Sequence, residues 1–302
     1  MIFVSIKLPR AFLVRLFAKK IACDTLFYSF AIIVNQRIQM DLKKLRESGI
    51  KKTKVLFLIH GETKVGKSSL AATIPDSVMV CVEREGADRI DHPHKYTYVP
   101  DTRTFEKMIR AIASLPEQTV IIDNITFLDK MVKSEVLKQN HIKALSEMGH
   151  GKAYEKCETR METLLTKIML LKTKHDKNVV ILGHTKAYST FDIATQDDVM
   201  ELSVAMTRPR NAEHLTRLVD GTFYFTLLKS SLDTKGKKVS GDSIKLKKSG
   251  RVLYLNKRAG VVCGTNLRGL KDSLKFMREK EYKNFWKEIE PHIKASKKKS
   301  KN

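Results

Sequence analysis

The sequence predicts an α/β fold in which helices flank a mostly parallel sheet. Three short apolar runs support this prediction: VLFLI at 55–59, VMVCV at 78–82 and NVVILG at 178–183. Each run is continuous rather than alternating, and each has the length of a strand that is buried on both faces. The stretches between them include residues 105–115, where apolar side chains recur at helical spacing. A chain of 302 residues can form one large domain of this class, or a domain with a small appendage.

A glycine-containing segment, GETKVGKS at 61–68, directly follows the first strand and precedes a predicted helix, SSLAA at 68–72. It matches the phosphate-binding pattern G-x-x-x-x-G-K-[ST] at every fixed position. In this arrangement the loop amides and the helix N-terminus face a phosphate with positive partial charge. The segment therefore predicts nucleotide binding by nine consecutive residues: Gly61, Glu62, Thr63, Lys64, Val65, Gly66, Lys67, Ser68 and Ser69.

Three side chains have more specific predicted roles in this site. Lys67 would reach the β- and γ-phosphates of ATP, and the Ser68 hydroxyl would hold Mg²⁺. A further apolar run, TVIID at 119–123, ends in Asp123. An apolar strand that ends in Asp is the second half of the P-loop NTPase signature. Asp123 would complete the Mg²⁺ site through its water shell. ATP and Mg²⁺ are therefore the predicted cofactors.

Two other strand ends carry polar residues that would face the ligand. The strand at 78–82 is followed by Glu83 and Glu85, and either carboxylate could polarise the attacking water in hydrolysis. Ordinary solvated charge at a strand end explains the same pattern equally well. His184 follows the strand at 178–183 and is a candidate sensor of the γ-phosphate. A histidine that only caps this strand fits the pattern almost as well.

The remaining elements are predicted from periodicity and turn residues. Helices are expected over four ranges: 105–115, 125–137, 154–176 and 270–295. A polar loop is expected at 139–153, and residues 187–214 are mixed and weakly periodic. Residues 243–247 and 251–255 alternate around Ser249-Gly250, which is typical of a hairpin.

The charge balance favours an anionic partner larger than a nucleotide. The formal net charge is +24, from 57 Lys and Arg against 33 Asp and Glu, and nucleic acid is the leading candidate partner. Residues 229–258 carry ten basic and two acidic residues, and lysines on a hairpin ribbon could grip DNA phosphates. A generally basic surface, or a hairpin protected from aggregation by lysines, would give the same composition.

Composition divides the chain into three predicted parts. Residues 1–39 are predicted to be a basic N-terminal extension that is either non-native or disordered. Residues 40–228 are the predicted ATPase core, and residues 229–302 hold the basic hairpin, a helix and a lysine-rich tail. The longest uncharged apolar run of the extension, 25–34, is about half the length that spans a bilayer, so no stable membrane insertion is expected. The four cysteines form no CxxC pair, which disfavours a zinc site and fits a reducing, cytoplasmic compartment.

The order of these motifs resembles that of RecA-like ATPases. The likeness is carried by GETKVGKS at 61–68, EREG at 83–86, VIIDN at 120–124 and LGHTK at 182–186. More closely, the chain resembles phage-encoded nucleotide-binding proteins of the AAA class that are related to Sak-type single-strand annealing recombinases. The segments GKAY at 151–154 and NLRGL at 266–270 add to this resemblance, which covers roughly residues 50–270.

The resemblance implies a RecA-like P-loop NTPase core that hydrolyses ATP and binds single-stranded DNA in recombination, annealing or replication. It also implies self-association as a ring or filament, in the host cytoplasm if the protein is phage-encoded. By motif position, Glu85 would be the catalytic glutamate, Asp123 the Mg²⁺ aspartate and His184 the sensor, and Lys67 completes the predicted catalytic set. The DNA-binding loops would be residues 139–151 and 187–206. The second of these departs from the expected charge, because it contains four acidic residues: Asp192, Asp197, Asp198 and Glu201.

Two other functions are compatible with the same phosphate-binding loop. A small-molecule or nucleoside kinase would need an arginine-bearing lid, and residues 187–214 with Arg208 and Arg210 could supply one. A nucleic-acid-binding assembly protein could use the nucleotide only as a structural ligand. The sequence does not identify which residue is the arginine finger. The candidates for this role are Lys186, Arg208 and Arg210.

Overall fold

The structure is a computed structural model that describes residues 54–83, 87–97, 99–192, 196–228 and 250–295. These ranges contain ten β-strands in one sheet and six α-helices. The strands are β1 (Leu56–Gly61), β2 (Ser77–Cys81), β3 (Lys95–Tyr96), β4 (Thr119–Asp123), β5 (Asn178–Asp192), β6 (Asp197–Val204), β7 (Gly221–Leu227), β8 (Arg251–Tyr254), β9 (Gly264–Thr265) and β10 (Ser273–Phe276). The helices are α1 (Lys67–Ala72), α2 (Thr102–Ile112), α3 (Ile125–Gln139), α4 (Lys152–Thr173), α5 (Pro209–Leu218) and α6 (Asn284–Ala295).

The sheet is mixed and mostly parallel, with the order β10-β8-β7-β1-β5-β4-β2-β3. β1 lies in its middle and pairs in parallel with β5 and β7. The pairs β5–β4, β4–β2 and β2–β3 are also parallel, whereas β8 and β10 add antiparallel strands beyond β7. This topology confirms the predicted α/β class and places the carboxyl ends of β1, β2, β4 and β5 at one edge of the sheet.

Helices cover both faces of the sheet, which explains why its central strands are continuously apolar. Alternate residues of β1 point to opposite faces. Leu56 and Leu58 pack with residues of α2, α3, α4 and α5, whereas Phe57 and Ile59 pack with residues of α1 and α6. All four side chains are at most 2% exposed, so the strand that leads into the phosphate-binding loop is held rigidly by two cores.

The predicted helix at 270–295 is correct only in its second half. Residues 273–276 form β10, which pairs with β8, and α6 begins at Asn284. The pairing buries Phe276 against Phe225 and Tyr282, with ring centroids 6.1 and 5.3 Å apart. The charged residues around β10 resemble a helix face, but long-range pairing with β8 decides the local structure.

The hairpin predicted around Ser249-Gly250 is also revised. Residues 251–254 form β8, but both edges of β8 are paired, one with β7 and the other with β10. The predicted partner at 243–247 lies outside the described residues, as does the rest of the basic segment from 229 to 249. Arg251 therefore begins a strand inside the sheet rather than a free ribbon.

The weakly periodic segment 187–214 is built from regular elements. β5 continues past the sheet edge and forms an antiparallel hairpin with β6, in which Thr185 pairs with Val204 and Asp192 with Asp197. The apolar side chains Phe191 and Met200 on this hairpin are 64% and 60% exposed. No helix among the described residues is long and apolar enough to cross a membrane.

Candidate nucleotide-binding site

The phosphate-binding loop joins β1 to α1, and two of its glycines are required by geometry. A Cβ on Gly61 would lie 2.0 Å from the carbonyl oxygen of Phe225 on β7, so only glycine lets these parallel strands approach. Gly66 has a φ of 97°, in the left-handed region that favours glycine, and it is the N-cap of α1. The loop can therefore wrap a ligand at the start of the helix.

Lys67 is the first residue of α1, and its side chain folds back under the loop. Its Nζ donates hydrogen bonds to the carbonyl oxygens of Gly61 at 3.0 Å and Glu62 at 2.7 Å. Burial lowers the pKa of Lys67 from 10.5 to about 8, against the opposing effect of Asp123 and Glu83. The ammonium has three donors, so one is left for a ligand anion.

The two predicted Mg²⁺ ligands lie beside each other in the wall of one cavity. The Ser68 hydroxyl acts as a hydrogen-bond donor that lowers the pKa of Asp123, the last residue of β4. Burial raises the pKa of Asp123, while Ser68 and Lys67 oppose that shift. One hydroxyl and one carboxylate suit Mg²⁺, which takes few protein ligands and completes its shell with water and phosphate oxygens.

The His184 side chain lies between Thr63 of the phosphate-binding loop and Glu83, which follows β2. Its Nδ1 lies 3.4 Å from Thr63 Oγ1, and its Nε2 lies 3.5 Å from Glu83 Oε2. Asn124 joins the group, because its Nδ2 donates to the same Glu83 oxygen at 2.7 Å and lies 3.3 Å from His184 Nε2. Burial, followed by the nearby charge of Lys67, lowers the pKa of His184. His184 lies within β5, where this strand leaves the parallel sheet to pair with β6, and the lowered pKa favours the neutral imidazole.

These residues line one cavity of about 990 Å³. That volume is at the upper end of the range for small-molecule sites. The phosphate-binding loop and the ends of β2, β4 and β5 form most of its wall, and Asp88, Arg89, Ile90, Arg251 and Glu279 complete it. The donor set fits a nucleoside triphosphate with a divalent cation: a glycine loop at a helix start, a buried ammonium, and a hydroxyl–carboxylate pair.

The structure brings most of the predicted site residues together. Lys67, Ser68, Asp123 and His184 line the cavity with Glu83, whereas Glu85 lies outside the described residues. Of the arginine-finger candidates, Arg208 and Arg210 pair with Glu158 at 3.1 and 3.6 Å and do not line this cavity, and neither does Lys186.

Sequence reasoning missed several residues of the cavity wall. Asn124 directly follows Asp123 at the end of an apolar strand, so its position could have been inferred. Arg251, Glu279 and the Asp88–Arg89 pair carry no local signal, because the fold alone brings them to the loop.

Comparison with known proteins identifies one family for this chain. A family model described as an AAA domain matches residues 53–266. Among solved structures, a RadB recombinase is similar with a TM-score of 0.38 and 13% sequence identity, over 67% of this chain and 80% of that chain. No curated protein sequence matches the chain. The family match covers most of the chain and includes the phosphate-binding loop, Asp123 and His184. The protein therefore belongs to this AAA-domain family and has the fold of a P-loop NTPase core.

Proposed function

We propose that the protein is an ATPase that binds Mg-ATP in this cavity and whose turnover is stimulated by single-stranded DNA. The observation that carries the ATPase proposal is that Ser68, Asp123 and the buried Lys67 line one cavity. Two segments that are remote in sequence, each with half of the NTPase signature, thus lie together where a metal-bound triphosphate would need them.

Each residue has a defined part in this proposal. Lys67 neutralises phosphate charge, while Ser68 and Asp123 hold Mg²⁺, which supplies further charge stabilisation when bound. Glu85 polarises the attacking water, as the family resemblance implies. Glu83 has a positioning role, since its carboxylate lies against both Asn124 and His184. His184 contacts Thr63 of the loop and could report whether the γ-phosphate is present.

The proposal that DNA is the partner rests on charge. The net charge of +24 favours a polyanion, and ten of the basic residues fall within 229–258. The hairpin of β5 and β6 is less suited to DNA phosphates, because Asp197 and Asp198 are exposed on it. We therefore assign the DNA contact to the basic segment. Roles in recombination, annealing or replication, a ring or filament, and a relation to Sak-type recombinases belong to the same proposal.

An ATPase assay with and without single-stranded DNA, across a salt series, tests the proposed function. The expected result is Mg-dependent turnover that DNA stimulates, with a stimulation that falls steeply as salt rises. Replacement of the lysines in 229–249 by glutamine should remove the stimulation but leave basal turnover. Turnover that ignores DNA and requires a small acceptor would replace this proposal with a kinase.

A further inference from the structure

Two side chains from the C-terminal part of the chain reach the phosphate-binding loop. Arg251 begins β8, and Tyr282 follows a short 3-10 turn at Glu279–Glu281. A Cβ placed on Gly66 would lie 2.9 Å from the Tyr282 hydroxyl and 3.5 Å from Arg251 Nε. Arg251 lines the nucleotide cavity, whereas the Tyr282 hydroxyl lies against Gly66 outside the cavity wall.

Neither group is satisfied within the part of the chain that the structure describes. Arg251 Nε and the Tyr282 hydroxyl are buried and have no hydrogen-bond partner there. Tyr282 is only 1% exposed, and its ring packs edge-on against Phe225 and Phe276. Buried polar atoms almost always have partners, so the orphaned nitrogen of Arg251, a residue of the cavity wall, indicates a missing ligand.

Arg251 has a competing partner in Glu279. Its Nη2 lies 3.3 Å from Glu279 Oε1, and its guanidinium lies 5.8 Å from the centre of the Tyr282 ring. The Glu279 side chain is 62% exposed, whereas that of Arg251 is 25% exposed. Ion pairs with such an exposed partner contribute little, so an anion inside the cavity can displace Glu279.

We propose that Arg251 binds the phosphate chain of the nucleotide, that it exchanges Glu279 for phosphate oxygens when the nucleotide enters, and that the Tyr282 ring positions the guanidinium from behind the loop. This inference rests on the proposed nucleotide site but requires neither hydrolysis nor DNA. The arginine acts within its own chain, and its strand β8 and helix α6 pack in the same core as the loop residue Val65. Nucleotide binding thereby holds the C-terminal part of the sheet against the loop.

The chemistry predicts opposite effects for the two members of the ion pair. Arg251→Gln removes a charge-assisted phosphate contact and should weaken ATP and ADP binding by about 10- to 100-fold. Glu279→Gln removes the competitor and should tighten binding by up to about fivefold. In the double variant the gain from Glu279→Gln should vanish, because it acts only through Arg251. Tyr282→Phe keeps the ring beside the guanidinium and should change binding by less than about threefold.

Competition titration with a fluorescent ATP analogue measures these affinities without turnover. Arg217→Gln is a matched control, since Arg217 also forms an arginine–glutamate pair, at 3.5 Å from Glu213, but outside the cavity wall. Glu279 and Arg217 are exposed, so these variants should fold normally even if Arg251→Gln does not. Unchanged affinity in Glu279→Gln and in a folded Arg251→Gln would overturn the inference while leaving the ATP site intact. Failure of the wild-type protein to bind the analogue would instead overturn the proposed function.

Discussion

Ser68 at the start of α1 and Asp123 at the end of β4 line the same cavity, and the Ser68 hydroxyl lowers the pKa of the Asp123 carboxyl. The two strands that lead to these residues are not neighbours, because β5 lies between β1 and β4. Their proximity therefore depends on the order of the whole sheet. It is the relationship from which the proposed metal-assisted nucleotide binding follows.

Asp123→Asn should separate metal binding from nucleotide binding. The amide keeps the shape of the carboxylate but loses its charge, so Mg²⁺ should no longer strengthen ATP binding. We expect wild-type affinity for ATP to fall at least tenfold when EDTA replaces Mg²⁺, and the affinity of the variant to change by less than about twofold. Asp197→Asn, on the exposed strand β6, is the control. A variant that still responds fully to Mg²⁺ would place the metal elsewhere.

Nucleotide binding should be coupled to proton uptake by Lys67. The free protein has a Lys67 pKa of about 8, below the usual 10.5, because the ammonium is buried. Bound phosphates favour the charged form and raise this pKa, so affinity should fall as pH rises above 8. Calorimetry at pH 8 in buffers of different ionisation enthalpy should detect uptake of about half a proton. Lys67→Arg stays charged and should show no uptake, whereas equal uptake in both proteins would contradict this assignment.

His60 should make the fold less stable in mild acid. It is fully buried in β1, with hydrogen bonds to Thr185 Oγ1 at 3.0 Å and to the Val262 carbonyl at 2.8 Å. Burial lowers its pKa from 6.5 to about 4, with the nearby Lys67 charge adding to the shift. The unfolded chain therefore binds a proton between pH 6.5 and 4 that the folded chain does not, so stability is lost as pH falls through this window.

Urea unfolding at pH 7 and pH 5 measures this effect. Between pH 7 and pH 5 the free energy of unfolding of the wild type should fall by about 2 kcal/mol more than that of His60→Gln. Comparison of the two proteins cancels the contribution of the carboxylates to the pH dependence, because the carboxylates titrate in both. Identical pH dependence of the two proteins would show that His60 is not kept neutral by the fold.

Glu85→Gln and Glu83→Gln should have different consequences. If Glu85 polarises water, its amide variant should lose about 10²- to 10⁴-fold in kcat and keep its affinity for ATP. Under the proposed function Glu83→Gln should cost less, because Glu83 positions Asn124 and His184 and Glu85 is the residue that polarises water. Single-turnover hydrolysis and nucleotide titration together separate the two effects. The reverse ranking would transfer the water-polarising role to Glu83.

Local patterns predicted the centre of the fold and much of the candidate site. A buried strand, a glycine loop and a helix start are adjacent in sequence, so the position of Lys67 and Ser68 follows from residues 55–72 alone. Asp123 and His184 were found because parallel strands end at the same edge of a sheet. These inferences need only the strand direction, not the pairing partners.

Features that depend on long-range pairing could not be predicted in this way. Residues 270–295 have the composition of a charged amphipathic helix, and only pairing with β8 makes residues 273–276 the strand β10. The local sequence around Arg251 predicts a basic hairpin that contacts DNA phosphates. The pairing of β8 with β7 instead places Arg251 beside Gly66. β7 and β8 are separated by residues 228–250, which carry no signal for this pairing.

Calorimetric titration of the wild-type protein with Mg-ATP, alongside Lys67→Ala, tests the central claim most directly. The structure predicts saturable binding at one site per chain in the wild type, and a loss of at least about 100-fold in the variant. Circular dichroism melting checks that the variant is folded. Absence of heat with the wild-type protein, or equal affinity in a folded Lys67→Ala variant, would contradict the account.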